Sequence, residues 1–132
     1  MKTTLHTLIL YFQNCTLIIG FIMAYDIINL NEDLSYQKQA VISREIIRKN
    51  NSTVTLFAFD QGQGLSEHKA PFDALVHVVD GEVEISIDGE KHHLKAGELI
   101  IMPANIPHAL QSITAFKMVL TMLRTPKEDK KD

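Results

Sequence analysis

The chain lacks the paired cysteines of small secreted proteins and the excess positive charge of nucleic-acid-binding proteins. Its 132 residues include a single cysteine, Cys15, which has no partner for an internal disulfide and fits a reducing compartment. It has no excess of positive charge, because 13 Lys and Arg stand against 16 Asp and Glu. The resulting net charge of −3 argues against nucleic acid as a partner. What is present, 45% apolar and 22% charged residues, is typical of one packed domain.

An uninterrupted apolar segment of membrane-spanning length is also missing. Residues 5–24 are mostly apolar, but a central Gln-Asn pair would be costly in hydrocarbon. The continuous apolar run from Leu17 to Ala24 is at the short end for a signal peptide, and Ile22 spoils a small-x-small cleavage site. Three interpretations stay open: an upstream extension of a reading frame that starts at Met23, a buried or partner-covering segment, and a membrane or export signal.

The rest of the chain shows the alternation of short strands. Residues 53–58 and 82–87 alternate between apolar and polar side chains, which is the period of a half-buried strand. Residues 99–102 and 114–123 predict two more strands. Four apolar residues of the last strand share one face: Phe116, Met118, Leu120 and Met122.

Turn signals separate these strands. Asp80-Gly81 and Asp88-Gly89 favour the positive backbone angles of tight hairpins, and residues 95–98 predict a third turn. Helical signal is weak, and residues 32–40 predict at most one turn or a short helix. Evenly spaced short strands with glycine turns indicate an all-β barrel or sandwich.

The domain organisation follows from these patterns. If Met23 is the start, residues 1–22 are an extension whose deletion should remove no strand of the barrel, and residues 23–125 form one barrel domain of comfortable size. Residues 126–132 form a charged tail. We expect a cytoplasmic protein, with no membrane association of the barrel domain.

Two segments carry histidines at regular distances from glycines. In GQGLSEHKAPFDALVHVVDG, residues 62–81, Gly62 is followed after five residues by His68. In GELIIMPANIPHALQS, residues 97–112, His108 follows a Gly-x5-Pro pattern. This pair of motifs resembles the cupin family, whose first motif is Gly-x5-His-x-His-x3,4-Glu-x6-Gly and whose second is Gly-x5-Pro-x-Gly-x2-His-x3-Asn. The resemblance covers about residues 40–123 and implies a double-stranded β-helix, a small jelly-roll barrel.

The resemblance also implies a metal site that is incomplete here. In metal-binding cupins, two histidines and a glutamate of the first motif and one histidine of the second bind the ion. This chain keeps His68 and His108 but has Ala70 and Ala74 at the other two positions. Two imidazoles are fewer than the usual three protein ligands of a catalytic zinc or iron site. Asp73 would complete a site for Zn, Fe, Mn or Ni only if a bulge turned its side chain inward.

Three functions are compatible with this pattern. The first is a barrel that binds a small organic ligand with at most weak metal binding. The second is a metal-dependent dioxygenase or isomerase, and the third is a scaffold that acts by association. The expected ligand pocket is lined by His68, Ala70, Asp73, Ala74, His108 and Met118.

One strand also predicts self-association. Residues 74–79 are apolar on both faces except for His77, whereas only one face of a barrel strand meets the interior. We therefore expect a homodimer with His77 and residues 26–40 near its interface.

Overall fold

The computed structural model of the protein describes residues 9–11, 16–19 and 25–124, which contain eleven strands. Two come first in the chain, β1 (Ile9–Tyr11) and β2 (Thr16–Ile19). The others are β3 (Val41–Lys49), β4 (Ser52–Phe59), β5 (Gly64–His68), β6 (Asp73–Asp80), β7 (Glu82–Ile87), β8 (Glu90–Lys95), β9 (Leu99–Met102), β10 (His108–Ser112) and β11 (Phe116–Leu123). Within these residues, no helix has the length and apolar character to cross a bilayer.

The strands form two sheets. One has seven strands in the order β1-β2-β3-β4-β11-β6-β9, and the other has four in the order β5-β10-β7-β8. Every neighbouring pair is antiparallel except β2 and β3, which are parallel. The expected all-β double-stranded β-helix is confirmed.

The barrel interior is filled by alternate side chains of both sheets. The predicted apolar face of β11 is confirmed, since Phe116, Met118 and Leu120 are buried in the interior cluster and Met122 packs against it. This alternation follows from the pleat, which directs successive side chains to opposite faces. The other buried members are Phe59, Ala74, Val76, Val78, Val83, Ile85, Leu94, Met102 and Leu110.

The predicted turns have two different outcomes. Asp88 and Gly89 have φ of 51° and 79° and close the β7–β8 hairpin, as expected. The hairpin expected at Asp80-Gly81 is wrong, because β6 pairs with β9 and β11 in one sheet whereas β7 pairs with β8 and β10 in the other. Gly81, with φ 72°, forms a corner between the sheets, where a Cβ would lie 2.0 Å from the Ala115 carbonyl oxygen. An Asp-Gly pair reports a positive φ but not which strands the flanking residues join.

The expectation that residues 1–22 contribute no strand is also wrong. Strands β1 and β2 pair with each other, and β2 pairs with the start of β3, with Thr16 opposite Val41. The proposed start at Met23 and the tail over 126–132 lie outside the described residues.

Residues 29–36 form a strap across the outer face of the larger sheet. The strap begins with one turn, in which the backbone N–H of Asp33 donates to the Asn29 carbonyl oxygen at 2.9 Å. Its Leu34 is buried in a second apolar cluster with Ile42 and Leu56. This cluster covers the outward-facing apolar residues of β3 and β4, which would otherwise contact water.

Two polar contacts fasten the strap to the barrel. The Tyr36 hydroxyl donates to an Asp80 carboxylate oxygen at 2.5 Å. The Lys117 ammonium donates to the Asn31 carbonyl oxygen and lies 4.9 Å from the Tyr36 ring centroid. Lys117 is buried, so its charge depends on these partners for compensation.

Candidate functional site

A β-bulge brings the two motif histidines together. His68 lies opposite His108, and Leu65 lies opposite Leu110, so that three residue steps of β5 match two of β10. Since His108 and Leu110 are both buried, the extra residue places His68 on the same inward face as Leu65. The bulge therefore directs both histidines to one end of the barrel.

The imidazole rings meet through their Nε2 atoms. The two Nε2 atoms are 3.2 Å apart, and the ring planes lie at 72°. The Nδ1 of His68 is 2.8 Å from the Ser66 carbonyl oxygen, and the Nδ1 of His108 is 3.0 Å from that of Ile106. A carbonyl oxygen only accepts hydrogen bonds, which assigns the proton of each ring to Nδ1. Both Nε2 atoms are then left as acceptors that face each other.

Two facing acceptors are completed by a shared positive or donor group. A proton, an O–H or N–H group of a ligand, or a metal ion would each fulfil this role. With metal–nitrogen bonds of about 2.0–2.1 Å, nitrogens 3.2 Å apart subtend about 100–106° at the ion. This angle is close to tetrahedral, so the spacing suits two ligands of one ion.

The two rings differ in exposure. His68 is exposed at the end of β5, whereas His108 is 3% exposed. Burial lowers the pKa of His108, the hydrogen bond to Ile106 opposes this effect, and the nearby His68 lowers the pKa further. The net shift is downward, so that the His108 ring stays neutral to lower pH than an ordinary histidine.

The remaining predicted pocket residues from the first motif do not join the histidines as ligands. The carbonyl oxygen of Ala70 accepts a hydrogen bond from the Asn105 backbone N–H at 2.7 Å. Asn105 stands where the second motif has a glycine, and its φ of 63° is one that Asn tolerates better than most residues. The Asp73 carboxylate accepts a hydrogen bond from the Ala104 backbone N–H at 2.9 Å. It therefore joins the start of β6 to the loop after β9, and among the described residues no third His, Cys, Asp or Glu completes a metal-binding group.

The other two expected pocket residues are core residues. Ala74 and Met118 are both buried in the interior cluster. A groove of about 390 Å³ lies elsewhere, along the four-stranded sheet. Its lining includes the outward side chains of β7 and β10, and comprises Gly64, Leu65, Ser66, Glu84, Ser86, Ala109, Leu110 and Gln111.

Comparison with known proteins decides the family. Residues 55–123, more than half of the chain, match the family model described as Cupin domain. The chain belongs to the cupin family. Its structure resembles that of SPY1581, a conserved protein of unknown function from Streptococcus pyogenes. The two are 32% identical with a TM-score of 0.76, over 83% of this chain and 96% of that one.

Two further similar proteins are longer than the region that matches this chain. A Cupin 2 conserved barrel domain protein from Leptotrichia buccalis is 41% identical, with a TM-score of 0.70, over 74% of this chain and 47% of that one. The polyketide synthase CurC of Streptomyces cyaneus is 32% identical over 53 residues, which are 39% of this chain and 34% of that protein. The chain thus spans about a third of that curated relative.

The cupin site of this chain fits a metal ion only in part. The histidine pair has a suitable nitrogen spacing, and each ring donates its other N–H to a carbonyl oxygen, as metal-binding histidines commonly do. The donor set nevertheless stops at two side chains among the described residues. This is below the three protein ligands that catalytic zinc sites use.

The groups that orient the two rings were not predictable from the sequence of this cupin. The carbonyl oxygens of Ser66 and Ile106 assign both tautomers, yet a backbone carbonyl leaves no signal in residue type. Thr53 was also missed as a polar residue on the inner face of β4, where it is buried. The available signal was the strand period, which places Thr53 and Thr55 on the same face as the apolar Phe57.

Proposed function

We propose that this cupin binds a small organic molecule through the pair of histidines and binds divalent metal only weakly. The observation that carries the proposal is the pair of Nε2 acceptors, 3.2 Å apart, with both Nδ1 atoms at backbone carbonyls. Such a pair recognises an O–H or N–H group of a ligand, which donates to the Nε2 atoms because neither carries a proton in this tautomer.

The two alanines support binding over metal catalysis. Ala70 and Ala74 stand where the resembling motif has a histidine and a glutamate. Asp73, which directly precedes Ala74, accepts a hydrogen bond from the Ala104 backbone N–H. An ion would therefore rely on water or on the ligand itself for most of its coordination, which lowers its affinity.

A metal-dependent enzyme of the dioxygenase or isomerase type is the second candidate. It is favoured by the near-tetrahedral nitrogen spacing and by the Nδ1–H contacts of both rings. His68 and His108 would hold the ion. A bound Zn, Fe, Mn or Ni ion would supply Lewis-acid or redox chemistry there.

Metal binding separates the two candidates. Protein purified without chelator or immobilised nickel should retain little metal after dialysis, and calorimetric titration with Zn²⁺ should give a Kd of about 1 µM or weaker. His68→Ala and His108→Ala should remove this binding. His93→Ala is the matched control, because His93 is exposed and contacts Glu82. One equivalent of metal retained through chelator treatment would favour the enzyme instead.

Ligand binding is tested with a phenolic probe. Protein with ¹⁵N-labelled histidine should show shifts of the His68 and His108 ring resonances on addition of 4-hydroxyacetophenone, whose hydroxyl is a strong donor. The His93 resonances should not move. Ring resonances of the pair that stay unchanged with this probe and its 3-hydroxy isomer would contradict the proposal.

A further inference from the structure

The barrel interior contains a hydroxyl group without a hydrogen-bond partner. Thr53 is 3% exposed, and its Oγ1 is fully buried with no acceptor or donor among the described residues. Buried polar groups are normally paired, because leaving water without a new partner costs free energy. This hydroxyl can donate its hydrogen to an acceptor such as a carbonyl oxygen, and it can also accept a hydrogen bond.

Thr53 lies in a row of side chains that crosses the inner face of the larger sheet. Thr53 on β4 is opposite Met122 on β11, Met122 is opposite Ala74 on β6, and Ala74 is opposite Met102 on β9. Ala74 and Met102 are buried in the interior cluster, and Met122 packs against it. Of the four side chains in this row, only Thr53 has a polar group capable of a strong hydrogen bond.

This row lies at the same end of the barrel as the histidines. A four-residue loop joins His68 at the end of β5 to the start of β6, just before Ala74. A second loop joins Met102 at the end of β9 to His108 at the start of β10. The row and the histidine pair thus belong to facing sheets at one barrel mouth.

We propose that Thr53 binds the second polar group of the ligand whose first polar group donates to His68 and His108. The inference rests on the proposed function and specifies its ligand class. The histidine end accepts a hydrogen bond from a hydroxyl, and the Thr53 end donates one to a carbonyl. The thioethers of Met102 and Met122, in the same row as Thr53, favour contact with an aromatic ring. The ligand is therefore a small aromatic molecule with a hydroxyl and a carbonyl group.

Matched probes and variants test this assignment. The probes are 3- and 4-hydroxyacetophenone, each compared with the ethylphenol that lacks the carbonyl. Wild-type protein should bind at least one ketone about tenfold more tightly than its ethylphenol, the gain of one buried hydrogen bond. Thr53→Val, which keeps the shape and removes the hydroxyl, should weaken ketone binding about tenfold and leave ethylphenol binding unchanged.

Two more variants keep the test decisive. Thr55→Val makes the same change one row deeper, opposite Leu120, and should leave the ketone preference intact. Thr53→Ser retains the hydroxyl and should therefore retain the preference for the ketone. This variant keeps the proposal testable if Thr53→Val fails to fold. A preference that survives in Thr53→Val, or that is lost in a folded Thr53→Ser, overturns the assignment of Thr53 while the histidine site stands. If no probe shifts the His68 and His108 ring resonances of the wild-type protein, both proposals fall together.

Discussion

Two backbone carbonyls determine what the histidines can bind. The carbonyl oxygens of Ser66 and Ile106 accept hydrogen bonds from the Nδ1–H groups. Both Nε2 atoms therefore present lone pairs to the site, and neither presents an N–H donor. If one ring carried its proton on Nε2 instead, it would donate an Nε2–H···Nε2 hydrogen bond to the other ring, and the pair would need no ligand. The recognition chemistry that we propose for this cupin therefore depends on the path of the backbone around its histidines.

Stability should depend on pH through His108. Its folded pKa is lowered by burial, so below the ordinary histidine value of about 6.5 the unfolded chain takes up a proton that the folded chain does not. The free energy of unfolding should fall as the pH drops from about 6.5 to the lowered folded pKa, and this contribution should then level off. Urea unfolding at a series of pH values measures it. His108→Gln should remove this part of the slope and His93→Gln should not; an unchanged slope in His108→Gln would contradict the burial argument.

Restoring the missing ligands should create a strong metal site. Ala74 lies on the inner face between Met102 and Met122, so Ala74→Glu would direct a carboxylate toward the interior. Combined with Ala70→His, it should raise Zn²⁺ affinity by at least about 100-fold, because four side chains then replace two. Calorimetry measures the change, with Ala74→Glu alone as the comparison. A double variant that folds but binds Zn²⁺ like the wild type would show that the strand register does not match the motif.

Residue spacing predicted the histidine pair but not its chemistry. His68 and His108 are 40 residues apart and meet as the two motifs imply. The inward role proposed for Asp73 depended on a bulge just before it, whereas the register shifts lie within β5, at residue 46 of β3 and near residue 79 at the other end of β6. A bulge is set by pairing with a neighbouring strand, so its position is not contained in the local sequence.

At the scale of elements, strands with alternating side chains were predictable and strands with other patterns were not. β4, β7 and β9 lie where alternation or an apolar run indicated them, and β11 begins two residues later than expected. β5 is mostly polar and exposed, and its strand character comes from pairing with β10. Tertiary pairing thus overrides local pattern in this strand.

The first two strands should contribute a modest part of the stability. Residues 16–18 pair with residues 41–43 of β3, and deletion of residues 1–22 would leave this stretch of β3 as a free edge. The loss of about two or three net hydrogen bonds should lower the free energy of unfolding by about 1–3 kcal/mol. Chemical denaturation of the shortened and full chains measures the difference. Equal stabilities would show that β1 and β2 add nothing to the barrel.

At the scale of the whole molecule, one outer face remains apolar. The strap covers the outward residues of β3 and β4, but on β9 Leu99 and Ile101 are 58% and 56% exposed. They lie opposite His77 and Leu75 on β6. The structure thus agrees with the prediction that β6 is apolar on both faces. The homodimer and the cytoplasmic location stay predictions.

We expect this face to pair two copies of the chain, because burial of exposed leucine and isoleucine drives association. Sedimentation at micromolar concentration should give the mass of two chains, and Ile101→Lys should shift it to one. Ile47→Lys, at a similarly exposed isoleucine on β3, is the control that should stay dimeric. A wild-type mass of one chain would contradict the prediction.

The protonation pattern of the histidine pair decides whether the site can accept a hydrogen bond from a ligand. Ring ¹⁵N shifts of histidine-labelled protein at about pH 8, above the ordinary histidine pKa, distinguish protonated from unprotonated nitrogens. Both His68 and His108 should carry their proton on Nδ1, next to the carbonyls of Ser66 and Ile106, with Nε2 unprotonated. An Nε2–H in either ring would contradict the account, because the pair would then satisfy itself and offer no acceptor site to a ligand.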